Sequence, residues 1–285
     1  MKLNTEFRSM WNTNDPMQDQ WSRFELSCSI LKEVGKNMIT HLEQMDHLPE
    51  INAQLAGKNP DMNAQFLKML LFLWNRVQVR TFLKVRDSLE ILFTSMNLSN
   101  AYGCVISARG IIEHVALLQL LTKEVPWTKS WKTSKDDLIA YTKKLLSLTQ
   151  GSTFDWDKLL DDKNSIKEII ASKDWRRPRK DRISKISEMV EALDNEMSID
   201  STGFVKKQIV FLYCCMSDIL HPSWGSDFLY ADSMHRHYQE NQPFDAHFKR
   251  SVTLFCLPVH SVTTHFAKLI GWMADNEPRI FGSMD

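Results

Sequence analysis

The sequence predicts an all-α fold, a helical bundle around buried central helices with a mixed helical and loop insertion. Apolar residues recur at three-to-four spacing over long stretches, for example from Met62 to about Met96. No stretch of useful length alternates between apolar and polar residues as a strand would. Glycine, at nine residues, is scarcer than a turn-rich β-fold needs. The 285 residues, 43% of them apolar and 25% charged, suffice for a sizeable core.

The helices can be placed in order from their capping residues and periodicity. Asn14-Asp15-Pro16 begins a helix that runs to about His47, and Gly35 is a position where it could bend or break. The next helical stretch, from Met62 to about Met96, is one long helix or two. Ser99 or Asn100 caps a helix that continues to about Lys123. A last helix begins at Pro243 and reaches about Asn276, with a kink predicted at Pro258.

The middle of the chain differs in character from its two ends. We expect residues 1–124 and 201–285 to form the two parts of one helical bundle. Residues 125–200 are expected to form an insertion with short helices and a basic loop, ending in an amphipathic helix from Ile183 to Asn195. The charge and the short elements of this insertion suggest a lid or a partner surface and not an independent domain. The chain is therefore predicted to be one domain overall.

The segment from Ile209 to Ile219 is apolar on every side except at Ser217 and Asp218. A helix that is apolar all round is usually buried, so this segment is predicted to be the central helix of the bundle. It is too short to span a bilayer, and so is the longest nearly pure apolar run, from Met69 to Trp74.

Two polar clusters interrupt helices that are otherwise apolar. Tyr213, Ser217 and His221 share one helical face, and Pro222 places His221 at the helix end. Arg109 and Glu113 lie one turn apart in an apolar stripe. Since each cluster would otherwise bury unmatched polar groups, we expect the two clusters to touch. The result is either an active or ligand-binding site in the bundle core or a structural network that fixes helix register.

These two clusters resemble a little-characterised family of bacterial all-helical proteins. In that family an "aRsllE" helix is followed far downstream by a "YxxxSxxxHps" helix. The first block reads Ala108-Arg109-Gly110-Ile111-Ile112-Glu113 here, and the second runs from Tyr213 through Ser217 to His221-Pro222-Ser223. The resemblance covers only these two blocks. It implies a helical fold and a candidate site, but no reaction.

The spacing Arg109-x4-His114 resembles the Arg-x(4–6)-His motif of HEPN-type ribonucleases, helical proteins common in toxin and phage-defence systems. The resemblance implies that arginine and histidine act on the scissile phosphate and the 2′-hydroxyl, in a site usually shared by two subunits. Such chemistry needs a cation for the phosphate and an acid or base near neutral pH. Gly110 departs from the family, which usually places a polar residue there. His114 lies one position off the Arg109/Glu113 row, so it could face a different helix.

Three further candidates are weaker. A basic segment suits phosphate contact and base stacking, although a solvated loop is the plainer interpretation; it comprises Trp175, Arg176, Arg177, Arg179, Lys180 and Arg182. A metal could be held by His221, Asp227, Asp232, His235, His237 and His247, but the usual helical metal signature is missing and no metal is predicted. Ser217 with His221 lacks the exposed elbow of a serine nucleophile.

Composition limits the remaining functions. With zero net charge the chain has no overall field that would attract nucleic acid or an acidic membrane. Its five cysteines form no Cys-x-x-Cys pair, and no secretory signal is visible, so reduced thiols and a cytoplasmic location are expected. Walker-type and dinucleotide-binding loops are absent, and no cofactor is predicted.

Two functional hypotheses remain. The first is a toxin- or phage-defence-type protein with an RNA-cleaving or phosphate-handling site in the bundle core, using Arg109 with His114 or His221. The second is a non-catalytic protein–protein interaction module whose polar network is structural. RNA or a protein partner is expected accordingly, with no membrane. Self-association, most simply as a homodimer, is expected in both cases because long apolar helices leave surface to cover.

Overall fold

A computed structural model of the chain describes residues 1–45, 62–124, 186–200, 207–221 and 246–281. Every regular element in these ranges is an α-helix, and the helices pack against one another as a bundle, which confirms the predicted all-α fold. The helices are α1 (Thr5–Ser9), α2 (Pro16–Met45), α3 (Met62–Asn97), α4 (Ala101–Glu124), α5 (Ile186–Asp200), α6 (Gln208–Leu220) and α7 (Ala246–Phe281).

The central helix of the bundle is α4, which packs against α3, α5, α6 and α7. Its buried face includes Ala108, Ile111, Ile112, Val115 and Leu118, all with no measurable exposure. It is also the one described helix long and apolar enough to cross a membrane, whereas the sequence analysis expected no such segment. Core helices of soluble proteins are often equally long and apolar, and 61% of this stretch is buried inside the bundle. Its length and composition are therefore weak evidence for a membrane span.

The prediction that α6 is the buried central helix is wrong. Ile209, Leu212, Tyr213 and Met216 face the core, but Phe211 on the other side is 60% exposed, and Cys214 is also exposed. In the sequence, apolar residues occur on all sides of this helix, and that pattern predicted that every side is buried. Its neighbours among the described helices cover only one face, because α6 lies against the outside of α4 and α5.

The connection between α3 and α4 is a tight turn. Asn100 is the residue that caps α4: its Oδ1 accepts a hydrogen bond from the Gly103 N–H at 2.9 Å. Ser99 occupies the left-handed region at φ 55°. Gly103 lies so close to α3 that a Cβ there would come within 2.3 Å of Ser95 Oγ. Capping and close helix contact together form an antiparallel α3–α4 hairpin.

The first long helix, α2, continues through Gly35 without a break. Trp21, Phe24 and Leu31 are buried, as their periodicity predicts. Gly35 serves packing, because a Cβ at this position would lie 1.8 Å from Cζ of the Phe82 ring. The glycine therefore admits an aromatic ring from α3 and does not end the helix.

The predicted insertion is described only in its last part, helix α5. The described helix, Ile186–Asp200, overlaps the predicted Ile183–Asn195, extends past its predicted end and packs against α4 and α6. Met189, Val190 and Leu193 are buried there. Residues 125–185 lie outside the described residues. The α5 segment of residues 125–200 thus belongs to the bundle core.

Helix α7 closes the bundle along α2 and α4. It is assigned as one continuous helix through Pro258. Lys249 Nζ donates a hydrogen bond to the carbonyl of Met10 at 2.7 Å and lies over the ring of Trp11. Ser27 on α2 contacts His260 Nε2 at 3.0 Å. These contacts fix α7 against the N-terminal part of the chain.

Candidate functional site

Arg109, Glu113 and Tyr213 form one hydrogen-bonded network between α4 and α6. Arg109 Nε donates to Glu113 Oε1 at 2.9 Å, and its Nη2 donates to the Tyr213 hydroxyl oxygen at 3.2 Å. The Tyr213 hydroxyl in turn donates to Glu113 Oε1 at 2.8 Å. The guanidinium carbon also lies 5.1 Å from the centre of the Tyr213 ring. The expected contact between the two polar clusters is therefore confirmed at Tyr213.

The network lies at the edge of the bundle rather than sealed within it. The Arg109 side chain is 22% exposed and that of Glu113 is 27% exposed. Helical spacing puts these two residues one turn apart, and the Tyr213 hydroxyl closes the triangle from the neighbouring helix. The charged groups of Arg109 and Glu113 are therefore in partial contact with solvent.

Arg109 and Tyr213 each keep a single protonation state at neutral pH. Burial would lower the pKa of Arg109, but the hydrogen bond to Tyr213 and the charge of Glu113 outweigh it and raise that pKa. Burial, followed by the hydrogen bond to Glu113, raises the pKa of Tyr213. The site therefore presents a guanidinium cation and a neutral phenol around one carboxylate oxygen.

Ser217 and His221 do not join this network. The Ser217 hydroxyl donates to the carbonyl of Tyr213 in its own helix at 2.8 Å. His221 is exposed at the end of α6, in the extended conformation expected before Pro222, and its backbone N–H donates to the Ser217 carbonyl. The shared helical face was predicted correctly, but only the Tyr213 end of it contacts Arg109 and Glu113.

His114 faces α3 and not the network on α6. Burial and then the charge of Lys84, with a smaller effect of Arg80, lower its pKa to about 4, and the charge of Glu113 only partly opposes them. The imidazole is therefore neutral at neutral pH. Arg109 has its partner on α6 and His114 has its charged neighbours on α3, so the Arg-x4-His spacing spans two sides of α4.

The remaining sequence candidates fall outside the described residues or lack described side chains. The basic segment from Trp175 to Arg182 and the loop carrying His235 and His237 lie outside them. His247 lies in the first turn of α7, but its side chain is not described. Within the described ranges, no three histidine, cysteine, aspartate or glutamate side chains come together as a metal site would require.

Sequence reasoning missed two features near the candidate site. Neither Lys84 nor Arg80 was predicted as a site residue, and the effect of their charges on His114 depends on how α3 packs on α4. Asp194 is only 1% exposed, and its Oδ1 accepts a hydrogen bond from the Ile209 N–H at 2.9 Å, at the start of α6. An aspartate inside an apolar helical stripe was the available signal.

A cavity among the described residues lies away from all of these groups. It has a volume of about 310 Å³ and lies between α2 and α3 near the N-terminus. None of the predicted site residues lines it. Its lining residues include Cys28, Lys32, Phe82, Arg86, Leu89 and Glu90.

No family model, curated protein or solved structure matches the chain. The two family resemblances therefore stay predictions. What the structure does show is an all-α bundle with a polar network on its central helix.

Proposed function

We propose that this chain is a toxin- or phage-defence-type helical protein that cleaves RNA or handles phosphate groups at the Arg109–Glu113–Tyr213 network. The observation that supports the proposal is the partial exposure of this network. The charged pair Arg109–Glu113 remains partly exposed at the edge of the bundle core, and the buried Tyr213 hydroxyl is bonded directly to both.

The three groups suit the cleavage of an RNA strand by its own 2′-hydroxyl. In that reaction the 2′-oxygen forms a new bond to phosphorus while the bond from phosphorus to the 5′-oxygen breaks. Glu113 would accept the 2′-hydroxyl proton, and Arg109 would stabilise the charge that develops on the phosphoryl oxygens. Tyr213, whose raised pKa keeps it protonated, would give its proton to the departing 5′-oxygen.

Two other predicted groups have a less direct place in this proposal. His221 is exposed one turn beyond Ser217 and could assist as an acid only if substrate or a second subunit brings it to the network. The basic segment from Trp175 to Arg182 would hold the RNA backbone. A cytoplasmic location and self-association as a homodimer belong to the same proposal.

A second candidate function, a non-catalytic interaction module, is favoured by exposed residues on the same face of α4 as the network. Tyr102 and Ile106 precede Arg109 and Glu113 on the same face of α4 and are 40% and 45% exposed. Exposed aromatic and aliphatic side chains beside a paired charge are typical of a protein–protein contact. In this case Arg109 and Glu113 fix helix register and the orientation of the partner.

The experiment that separates the two candidates pairs RNA cleavage and cellular toxicity with thermal melting. The variants are Arg109→Ala, Tyr213→Phe and His221→Ala. Arg86→Ala is the matched control, because that arginine also pairs with a neighbouring carboxylate but lies on exposed α3 surface. If the chain is an enzyme, we expect Arg109→Ala to lower the rate of RNA cleavage at least a hundredfold, the typical effect of losing one transition-state contact. The variant should remain folded.

Absence of RNA cleavage and toxicity in the parent protein would refute the enzyme proposal. If Arg109→Ala and Tyr213→Phe melt at lower temperature than the parent and the parent has no activity, the result would support a structural network. Equal activity in Arg109→Ala and Arg86→Ala, with the parent active, would place the catalytic groups elsewhere.

A further inference from the structure

The cavity of about 310 Å³ lies between two points at which α2 and α3 touch. At one end the ring centres of Phe24 and Phe93 are 5.1 Å apart. At the other end Gly35 admits the ring of Phe82, because a Cβ there would overlap that ring. From the first contact to the second, α2 advances from residue 24 to 35 while α3 goes back from 93 to 82, about three turns in each helix. The helices are therefore antiparallel and in constant register along the cavity.

The floor of the cavity is apolar. Four buried side chains form it, Cys28, Leu31, Phe82 and Leu89. The register puts Cys28 level with Leu89, and its small side chain leaves space that a larger residue would fill. Burial raises the pKa of the Cys28 thiol to about 12, so this surface stays uncharged at neutral pH. The floor therefore suits an apolar group, and the Phe82 ring favours an aromatic one.

The solvent side of the cavity is charged. Four side chains form this rim, Lys32, Glu33, Arg86 and Glu90. Two of them have partners that do not line the cavity: Glu33 accepts a hydrogen bond from Lys36 at 3.0 Å, and Arg86 donates to Asp87 at 2.9 and 2.7 Å. Within the described parts of the chain, neither Lys32 nor Glu90 takes part in an ion pair. The rim therefore has one ammonium group and one carboxylate for a ligand to bind.

We propose that this cavity binds a free α-amino acid with a large apolar side chain. The carboxylate of the ligand would accept a hydrogen bond from Lys32, its ammonium group would donate to Glu90, and its side chain would lie on the apolar floor. In the register of the two helices, Lys32 and Glu90 are about 7.5 Å apart along the axis, which flexible side chains can close around one small molecule. A ligand with only one of the two charges would leave the other rim group without a counterpart. The site is separate from the Arg109 network and does not depend on its function.

The test is isothermal titration calorimetry of the whole chain with three probes, L-phenylalanine, 3-phenylpropionate and phenethylamine. The second probe lacks the ammonium group, and the third lacks the carboxylate. We expect saturable binding of phenylalanine, with a Kd roughly tenfold lower than that of either analogue, the effect of one charge-assisted hydrogen bond. If phenylalanine shows no saturable binding, or if an analogue binds as tightly, the proposal is wrong.

The two exposed rim residues can be neutralised one at a time. Glu90→Gln should remove the preference for phenylalanine over 3-phenylpropionate, and Lys32→Gln should remove the preference for phenylalanine over phenethylamine. The matched controls Glu191→Gln and Lys268→Gln remove the same charges from exposed positions on α5 and α7 and should leave every Kd unchanged. Thermal melting checks that each variant is folded. Preferences that survive in folded Glu90→Gln and Lys32→Gln would show that phenylalanine binds elsewhere and would overturn the assignment.

Discussion

Removal of one oxygen atom, by Tyr213→Phe, tests the physical account of the network. The hydroxyl donates to Glu113 at 2.8 Å and accepts from Arg109 at 3.2 Å, while the phenyl ring packs where the phenol did. Hydrogen bonds to charged groups contribute about 1.5–3 kcal/mol each when buried. Both charged side chains are partly exposed, so water replaces part of what is lost, and we expect a net destabilisation of about 1–2 kcal/mol.

The assay is urea unfolding of four proteins: the parent, Tyr213→Phe, Glu113→Gln and the double variant. If the hydroxyl stabilises the fold through Glu113, the double variant loses less free energy of unfolding than the sum of the single variants. A coupling of about 0.5–2 kcal/mol is expected for groups in direct contact. Additive losses, or a Tyr213→Phe protein as stable as the parent, would contradict the hydrogen-bond account.

Three further outcomes follow from groups elsewhere in the bundle. The folded-state pKa of His114, about 4, lies below its ordinary value of 6.5, so only the unfolded chain takes up this proton between those values. The free energy of unfolding should therefore fall by about 2 kcal/mol as the pH drops from 6.5 to 4. In urea titrations, His114→Gln should show a smaller fall over the same pH range. Asp194→Ala strands the buried Ile209 N–H and should cost about 1–3 kcal/mol, whereas Asp194→Asn, which keeps an acceptor, should cost less by the same denaturation assay; equal costs would contradict the contact. Exposed Cys214 should react with a thiol reagent well before Cys28, whose pKa burial raises to about 12, and a fast Cys28 would show that its packing is wrong.

The family resemblances and the geometry bear on different questions. The two blocks of the first resemblance contain the residues that meet in the network, Arg109, Glu113 and Tyr213. The Arg-x4-His resemblance joins two residues that face different neighbours in one copy of the chain. An enzyme of that second type would need a partner subunit to complete its site, so activity that depends on self-association would be its signature.

The sequence by itself determined the local features of this protein. Periodicity predicted the helices, Ser99 or Asn100 predicted the start of α4, and helical spacing placed Arg109 beside Glu113. These outcomes depend on residues within one or two turns of each other, so the chain needs no distant partner to decide them. The contact with Tyr213 followed from the same logic, because an unmatched polar cluster in a core must find a polar partner.

Tertiary packing alone decided which faces meet. The apolar pattern of α6 did not reveal that Phe211 is exposed, because hydrophobicity describes what a face could bury and not whether a neighbour covers it. Likewise, the packing of α3 on α4 lets the charge of Lys84 act on His114, and the position of α5 brings Asp194 to Ile209. Such contacts join residues far apart in the sequence, and they depend on the shapes and volumes of whole helices fitting together, which no local spacing encodes.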